Sequence, residues 1–269
     1  MRLIACVIVL LLLAGCAGTS NDPAAPDVAD PGASTPANVP GATANGTVLA
    51  WGLQACRHVV WWPAIETTPL QDRVPEGFQP QGGAVAISGP LGFEAFECVS
   101  GDGLDGPVAD LDYGSIFIGV NGPDMYDCAN LSGGCYVKTD VLIPDAPRRD
   151  LMSAHGLPAR DGSATVSALA AGPGSATLDL GAAGQFSVSY VATGRMGNSQ
   201  PLPFLEFTTA NGGVSVWSAT TDDATQESVY GTWSASPDSW VAQAFGISQG
   251  PAFVNVGTWS FSNGTIAMP

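Results

Sequence analysis

Gln185-Phe186-Ser187-Val188-Ser189-Tyr190-Val191-Ala192 reads as a β-strand, a short run rich in aromatic and β-branched residues that ends at Gly184 and at Thr193-Gly194. Outward from it the same signal repeats. Ala164–Ala168 and Ala176–Leu180 precede it, and Leu205–Thr209, Val214–Ala219, Ser228–Ala235, Trp240–Gly246 and Phe253–Ser262 follow. Turn signals at Asn211-Gly212-Gly213 and Asn263-Gly264 punctuate the series. Upstream, Thr47–Gln54, Arg57–Trp62, Ala84–Ser88, Glu94–Val99, Ser115–Val120 and Tyr136–Ile143 are similar short runs. Many short strands at this spacing predict a mainly β (α+β) fold, a sandwich or a closed barrel. Two short helices are expected beside them. One starts at Thr67 or Thr68, with Pro69 in its first turn and an end before Pro75. The other runs from the N-cap Asp145 to Gly156, with Leu151, Met152 and His155 on its apolar side and Pro158 preventing continuation.

The N-terminus carries an address. Met1-Arg2 precedes an apolar run, Leu3 to Leu13, that is too short to span a bilayer core of about 20 residues. It ends in Leu13-Ala14-Gly15-Cys16, the pattern of a bacterial-type lipoprotein signal. Residues 1–15 are expected to be removed and Cys16 to be lipidated by diacylglycerol and palmitate-class chains. Such chains anchor the protein to the cell membrane or the outer membrane on its extracytoplasmic side. Residues 16–46 are small and polar with almost no large apolar side chains. Such a stretch cannot offset its ordering entropy and is expected to serve as a disordered linker. Residues 47–269 remain for a single domain.

Composition narrows the partners. The formal net charge is −16, yet only 12% of residues are charged. Lys138 is the sole lysine. An acidic, lysine-poor chain argues against nucleic acid and against electrostatic attraction to anionic lipid. Cys6 leaves with the signal, so Cys56, Cys98, Cys128 and Cys135 are left in an oxidising compartment, where an even number implies disulfides. Of the three possible pairings, Cys128–Cys135 with Cys56–Cys98 is expected, because the first closes a short Gly-containing loop. A Cys₄ metal site is the rival, and no C-x-x-C knuckle supports it.

The segment from about 57 to 162 resembles the acetoacetate decarboxylase-like superfamily. The resemblance lies in the order of its pieces. Arg57 to Trp62 leads into Val74-Pro75-Glu76-Gly77-Phe78-Gln79-Pro80, similar to that family's entry motif. Then come an apolar strand ending in Phe96-Glu97-Cys98 and the aromatic run Asp112 to Val120. Arg148-Arg149-Asp150, a short helix and His155-Gly156-Leu157-Pro158-Ala159-Arg160 complete it. The resemblance implies a large antiparallel sheet curled into a barrel- or cone-like domain around a central pocket. It also implies a Schiff-base lysine after that proline and a carboxylate on the aromatic strand. Those positions hold Ala159, Arg160 and Ser115 here. An arginine cannot take the lysine's role, since its pKa stays above about 12. Decarboxylation is therefore not expected of this member.

No catalytic residue, metal ligand set or cofactor motif emerges from the remaining sequence. There is no G-x-S-x-G elbow, no zinc-binding histidine spacing, no Walker loop and no dinucleotide fingerprint. His58 reads as a strand-edge or pocket-rim residue, and His155 as a core or boundary residue. Asp102, Asp105, Asp110 and Asp112 read as a solvated acidic loop, with a calcium site as the alternative. Trp51, Trp61, Trp62, Trp217, Trp233, Trp240 and Trp259 read as core or barrel-lining residues, with sugar stacking as the alternative. Lys138 is expected to share a strand face with Tyr136, Asp140 and Leu142, and to pair with Asp140, with a displaced Schiff-base nucleophile as the alternative. Arg57, Tyr113, Lys138 and Arg160 are the polar side chains expected at a pocket for a small apolar or carboxylated molecule. An enzyme of altered lyase or hydrolase chemistry, and a surface structural or adhesion module, are the alternative functions.

Overall fold

The computed structural model describes residues 48–65, 68–81, 90–103, 106–131, 134–154, 156–167, 170–199, 202–210 and 213–267. The signal, Cys16, the linker, Thr67, the expected strand at 84–88, His155 and Asp105 lie outside the described residues. So do the side chains of Trp51, Asp102, Asp110 and Trp217.

The chain is mostly β. Its strands are β1 (Val48–Pro63), β2 (Gln79–Pro80), β3 (Leu91–Gly103), β4 (Gly106–Asn121), β5 (Cys135–Leu142), β6 (Ala159–Arg160), β7 (Ser163–Ser167), β8 (Gly172–Asp179), β9 (Gln185–Ala192), β10 (Gly197–Asn198), β11 (Leu202–Ala210), β12 (Gly213–Ala235) and β13 (Gln249–Ala267). Seven of them close a circuit: β11-β5-β4-β3-β1-β13-β12 and back to β11. Closure removes the unpaired edges that an open sheet would expose. Every contact in the ring is antiparallel except β11 with β5. The 23-residue β12 makes this possible. Its first part pairs with β11, and its last residues, Gly231–Ala235, pair with β9. From there β8 and β7 extend the sheet into a flap.

The flap folds over the outer face of the barrel. Along β9, Phe186, Val188, Tyr190 and Ala192 are buried and alternate with more exposed Ser and Val positions. Phe186 meets Phe93 at 4.9 Å, and Phe93 stacks on Trp61 at 5.4 Å. Each of these three fully buried rings contributes about 1.5–3 kcal/mol of apolar transfer free energy. β7 ends the sheet, so one of its sides lacks a partner strand. Glu97 Oε1 accepts from the Val166 N–H (2.9 Å), and Arg57 Nη2 donates to the Val166 carbonyl (3.2 Å). Arg57 and Glu97 are themselves joined at 2.7 Å. A side-chain ion pair thus supplies the hydrogen bonds that another strand would have made.

Cys56 and Cys98 are register partners on β1 and β3 and form one disulfide; Cys128 and Cys135, the first residue of β5, form the other. Both expected helical regions contain helix. Thr68–Arg73 is a single 3-10 segment, and Ala146–Ala154 is the α-helix α1. The segment Trp240–Gly246, expected as a strand, is instead the helix α2 (Trp240–Phe245). A short apolar run is ambiguous by pattern alone. The decision comes from its ends: Ser239 accepts the Ala242 N–H as an N-cap, and Gly246 closes the helix with φ 67°. Val241 and Ala242 are buried, and the Arg73 guanidinium lies 3.7 Å from the centre of the Trp240 ring.

Gly257 lies on β13 between Gln226 of β12 and His58 of β1. A Cβ at this position would fall onto the backbone carbonyl of Thr225, which cannot turn aside as a side chain can. Gly257→Ala is therefore expected to destabilise the barrel by about 1–3 kcal/mol, the cost of overpacking. The shift in urea midpoint checks it, and an unchanged midpoint would contradict the tight β12–β13 crossing.

Candidate functional site

Strand register fixes which side chains share the inner face of the barrel. Tyr113, Phe96 and His58 are opposite one another across β4, β3 and β1; Ser115 and Glu94 are opposite one another, two residues along. Residues at such positions point to the same side. This side is the interior, because its rings meet across strands that are not neighbours. Phe96 of β3 reaches Phe261 of β13 at 5.4 Å, and Phe204 of β11 reaches Phe261 at 5.9 Å.

β5 brings Lys138 to the same place by an irregularity. Phe117 is opposite Lys138 while Ile116 is opposite Asp140, so Thr139 is an extra residue in the ladder. The bulge inverts the alternation. Cys135 and Val137 before it and Leu142 after it all join the large outer core, whereas Val141 packs with Ile143, Leu157 and Tyr113. Lys138 therefore points inward and Asp140 outward. The expected Lys138–Asp140 pair does not form, and Asp140 instead holds Arg160 at 2.7 Å.

Inside the barrel, Lys138 Nζ donates to Glu94 Oε1 (2.5 Å), Glu206 Oε1 (3.0 Å) and Ser115 Oγ (3.2 Å), and it also contacts the Tyr113 hydroxyl. Ser115 Oγ donates to the same Glu94 oxygen. All of these groups are buried or nearly so, with Lys138 only 5% exposed. Burial by itself would lower the lysine's pKa, but the Glu206 and Glu94 carboxylates outweigh it and hold the ammonium well above its ordinary value. Glu206 moves the other way. Burial raises its carboxyl, Lys138 opposes the rise, Glu94 adds to it, and the result is about 7. Burial lifts the Tyr113 phenol above its ordinary range and pushes Tyr136 up to about 12. His58 is 1% exposed, and burial followed by the nearby Lys138 charge pulls its pKa well below the ordinary value, so it is neutral.

Of the four polar side chains expected at a pocket, the interior contains Tyr113 and Lys138. Arg57 is on the outer face with Glu97, and Arg160 is on β6, bound to Asp140. Ser115, which stands where the resemblance implies a carboxylate, hydrogen-bonds to one on the adjacent strand. Glu94 and Glu206 are not among the residues expected at the pocket. Their signal was present: each is a lone carboxylate within an apolar strand run, Gly92-Phe93-Glu94-Ala95-Phe96 and Phe204-Leu205-Glu206-Phe207. Such a residue is buried at a cost unless it is paired.

No protein-family model matches the chain, and no curated protein does. Solved structures do. An acetoacetate decarboxylase from Legionella pneumophila subsp. pneumophila str. Philadelphia 1 matches at 9% identity and a TM-score of 0.53, over 83% of this chain and 89% of that one. A second acetoacetate decarboxylase structure matches at 11% identity and a TM-score of 0.53, over 82% and 89%. The enduracididine biosynthesis enzyme MppR, complexed with pyruvate, matches at 11% identity and a TM-score of 0.52, over 81% and 90%. At these identities the likeness is one of fold, and the fold is acetoacetate decarboxylase-like.

The Glu206 carboxyl has a pH signature. Its folded pKa of about 7 lies above the ordinary 4.5, so the folded state binds the proton more tightly. Its contribution to stability is full below pH 4.5 and is lost as pH rises through 7. Glu206→Gln removes this dependence. The wild-type chain is expected to lose about 2 kcal/mol relative to the variant between pH 4.5 and 7.5. Urea midpoints at the two pH values measure it, and parallel profiles for the two chains would contradict the assignment.

Proposed function

We propose that this chain is a membrane-anchored extracytoplasmic lipoprotein that holds a small, largely apolar molecule in its barrel interior and does not decarboxylate it. The observation that carries the reading is the Lys138 ammonium set between Glu94 and Glu206. A Schiff base forms only from a neutral amine, which enzymes obtain by placing the lysine beside another cation or in an apolar pocket. Here two carboxylates and a phenol surround the nitrogen and favour its charged form. The inner walls formed by Phe96, Phe204, Phe261, Tyr113 and Tyr136 suit an apolar body. MppR was solved with pyruvate bound. For this chain a keto acid is disfavoured, because two carboxylates against one ammonium would meet it with negative charge.

The anchor rests on Leu13-Ala14-Gly15-Cys16, and two disulfides are consistent with an oxidising compartment. One observation favours a second reading, an enzyme of altered lyase or hydrolase chemistry: a Glu206 carboxyl near 7 can donate or accept a proton at neutral pH.

Two experiments test the proposal. Cys16→Ser is expected to move the protein from the membrane to the soluble fraction and to abolish incorporation of labelled palmitate; retention on the membrane would contradict the anchor. Incubating the full chain with pyruvate or acetoacetate and then borohydride is expected to leave the mass of the Lys138 peptide unchanged. A reduced adduct on that peptide would reinstate Schiff-base chemistry.

A further inference from the structure

The barrel interior contains buried polar atoms that its own side chains do not satisfy, the His58 ring nitrogens, Gln226 Oε1 and the Trp259 Nε1–H donor. Glu94 Oε1 takes Lys138 and Ser115, while Oε2 faces His58 with 3.9 Å between it and Nε2. That separation is too long for a hydrogen bond. Both ring nitrogens of His58 are buried without a hydrogen-bond partner. The ring is fixed in place, with Phe96 stacked on it at 3.9 Å and Trp259 set edge-on at 4.0 Å. A neutral imidazole always presents one nitrogen lone pair. Gln226, in line with His58 across Gly257, also leaves its Oε1 buried and unpartnered. Buried polar atoms of this kind normally have a partner, from the protein, from water or from a ligand.

Charge points the same way. Glu94 and Glu206 surround one ammonium, so the cluster carries one surplus negative charge when both are ionised. Lys138 and Glu94 are the titratable groups that act on Glu206, and Glu206 in turn raises the Tyr113 and Tyr136 phenols. Arg57 and Arg160 are engaged with Glu97 and Asp140 on the outer face.

We propose, resting on the interior-pocket reading above, that this site selects a small organic cation, a primary ammonium on an apolar or aromatic body, and rejects the corresponding carboxylate. One ammonium nitrogen can donate to Glu94 Oε2 and to the free nitrogen of His58 together, since a 3.9 Å gap suits two hydrogens on one atom. Its charge cancels the surplus. Its body lies against Phe96, Trp259, Phe261 and Tyr113, whose ring faces attract cations. The bound cation favours ionised Glu206, so binding below neutral pH expels the Glu206 proton to solvent, and affinity rises as pH rises through about 7.

Three matched probes test this on the full chain in detergent: phenethylamine, 2-phenylethanol and phenylacetate, titrated calorimetrically at pH 6 and pH 8 in two buffers of different ionisation enthalpy. The amine is expected to bind at least tenfold more tightly than the alcohol, and the carboxylate not to bind detectably. Amine affinity should be higher at pH 8, with proton release at pH 6. Glu206→Gln should cut the amine's advantage about tenfold, and His58→Phe should weaken it as well; if the His58 variant does not fold, Glu206→Gln decides. Carboxylate binding equal to or tighter than amine binding, or an amine preference unchanged in folded Glu206→Gln, overturns the proposal and leaves the pocket reading standing. No heat from any of the three probes, with the circular dichroism spectrum native, counts against the interior pocket and removes the proposal with it.

Discussion

One ammonium between two carboxylates sets the character of the barrel interior. Lys138, Glu94 and Glu206 come from three strands, β5, β3 and β11, so the cluster also ties together three parts of the ring. Desolvating such charges costs several kcal/mol per ion. Their attraction offsets this only when geometry is good and the remaining donors and acceptors are used. The Tyr113 and Ser115 hydroxyls do that work around Lys138, and His58, held neutral, adds no further charge. The arrangement holds the buried lysine of this acetoacetate decarboxylase-like barrel in its charged form. A Schiff-base site raises the fraction of neutral amine, and these neighbours lower it.

The cluster depends on a single extra residue. With a regular ladder through β5, Lys138 and Asp140 would share a face, and the lysine would have a partner on its own strand. Thr139 breaks that parity. The consequence is two separate charge systems, one inside the barrel with Lys138 and one outside with Asp140 and Arg160. The outer face uses ion pairs for a different purpose. Arg57 and Glu97 bond the open side of β7, where side-chain charges do the work of an absent strand.

Much of the fold was legible in the sequence, and the site only in part. Strand runs such as Gln185–Ala192 carry the period that a half-buried strand needs, and the order of motifs between 57 and 162 pointed to the acetoacetate decarboxylase-like fold. Tyr113 stands in the aromatic run and Arg160 in the turn that carry the family resemblance, while Arg57 and Lys138 are the cations of two strand runs. Which face a residue takes depends on register, and a bulge cannot be read from composition. Trp240–Gly246 misled for a related reason: its apolar run suits either state, and the cap at Ser239 decides. Glu94 and Glu206 were overlooked because they are far apart in sequence and become a pair only when β11 closes beside β5.

Because Lys138 is the only lysine, its side chain can be observed without assignment. Protein labelled with ¹³C at lysine Cε gives one side-chain amine signal, whose chemical shift reports protonation directly. Followed from pH 5 to pH 11, that signal is expected to stay at the ammonium position throughout, because Glu94 and Glu206 hold the proton on the amine. A titration centred near neutral pH would mean a free amine in the barrel and would contradict the account.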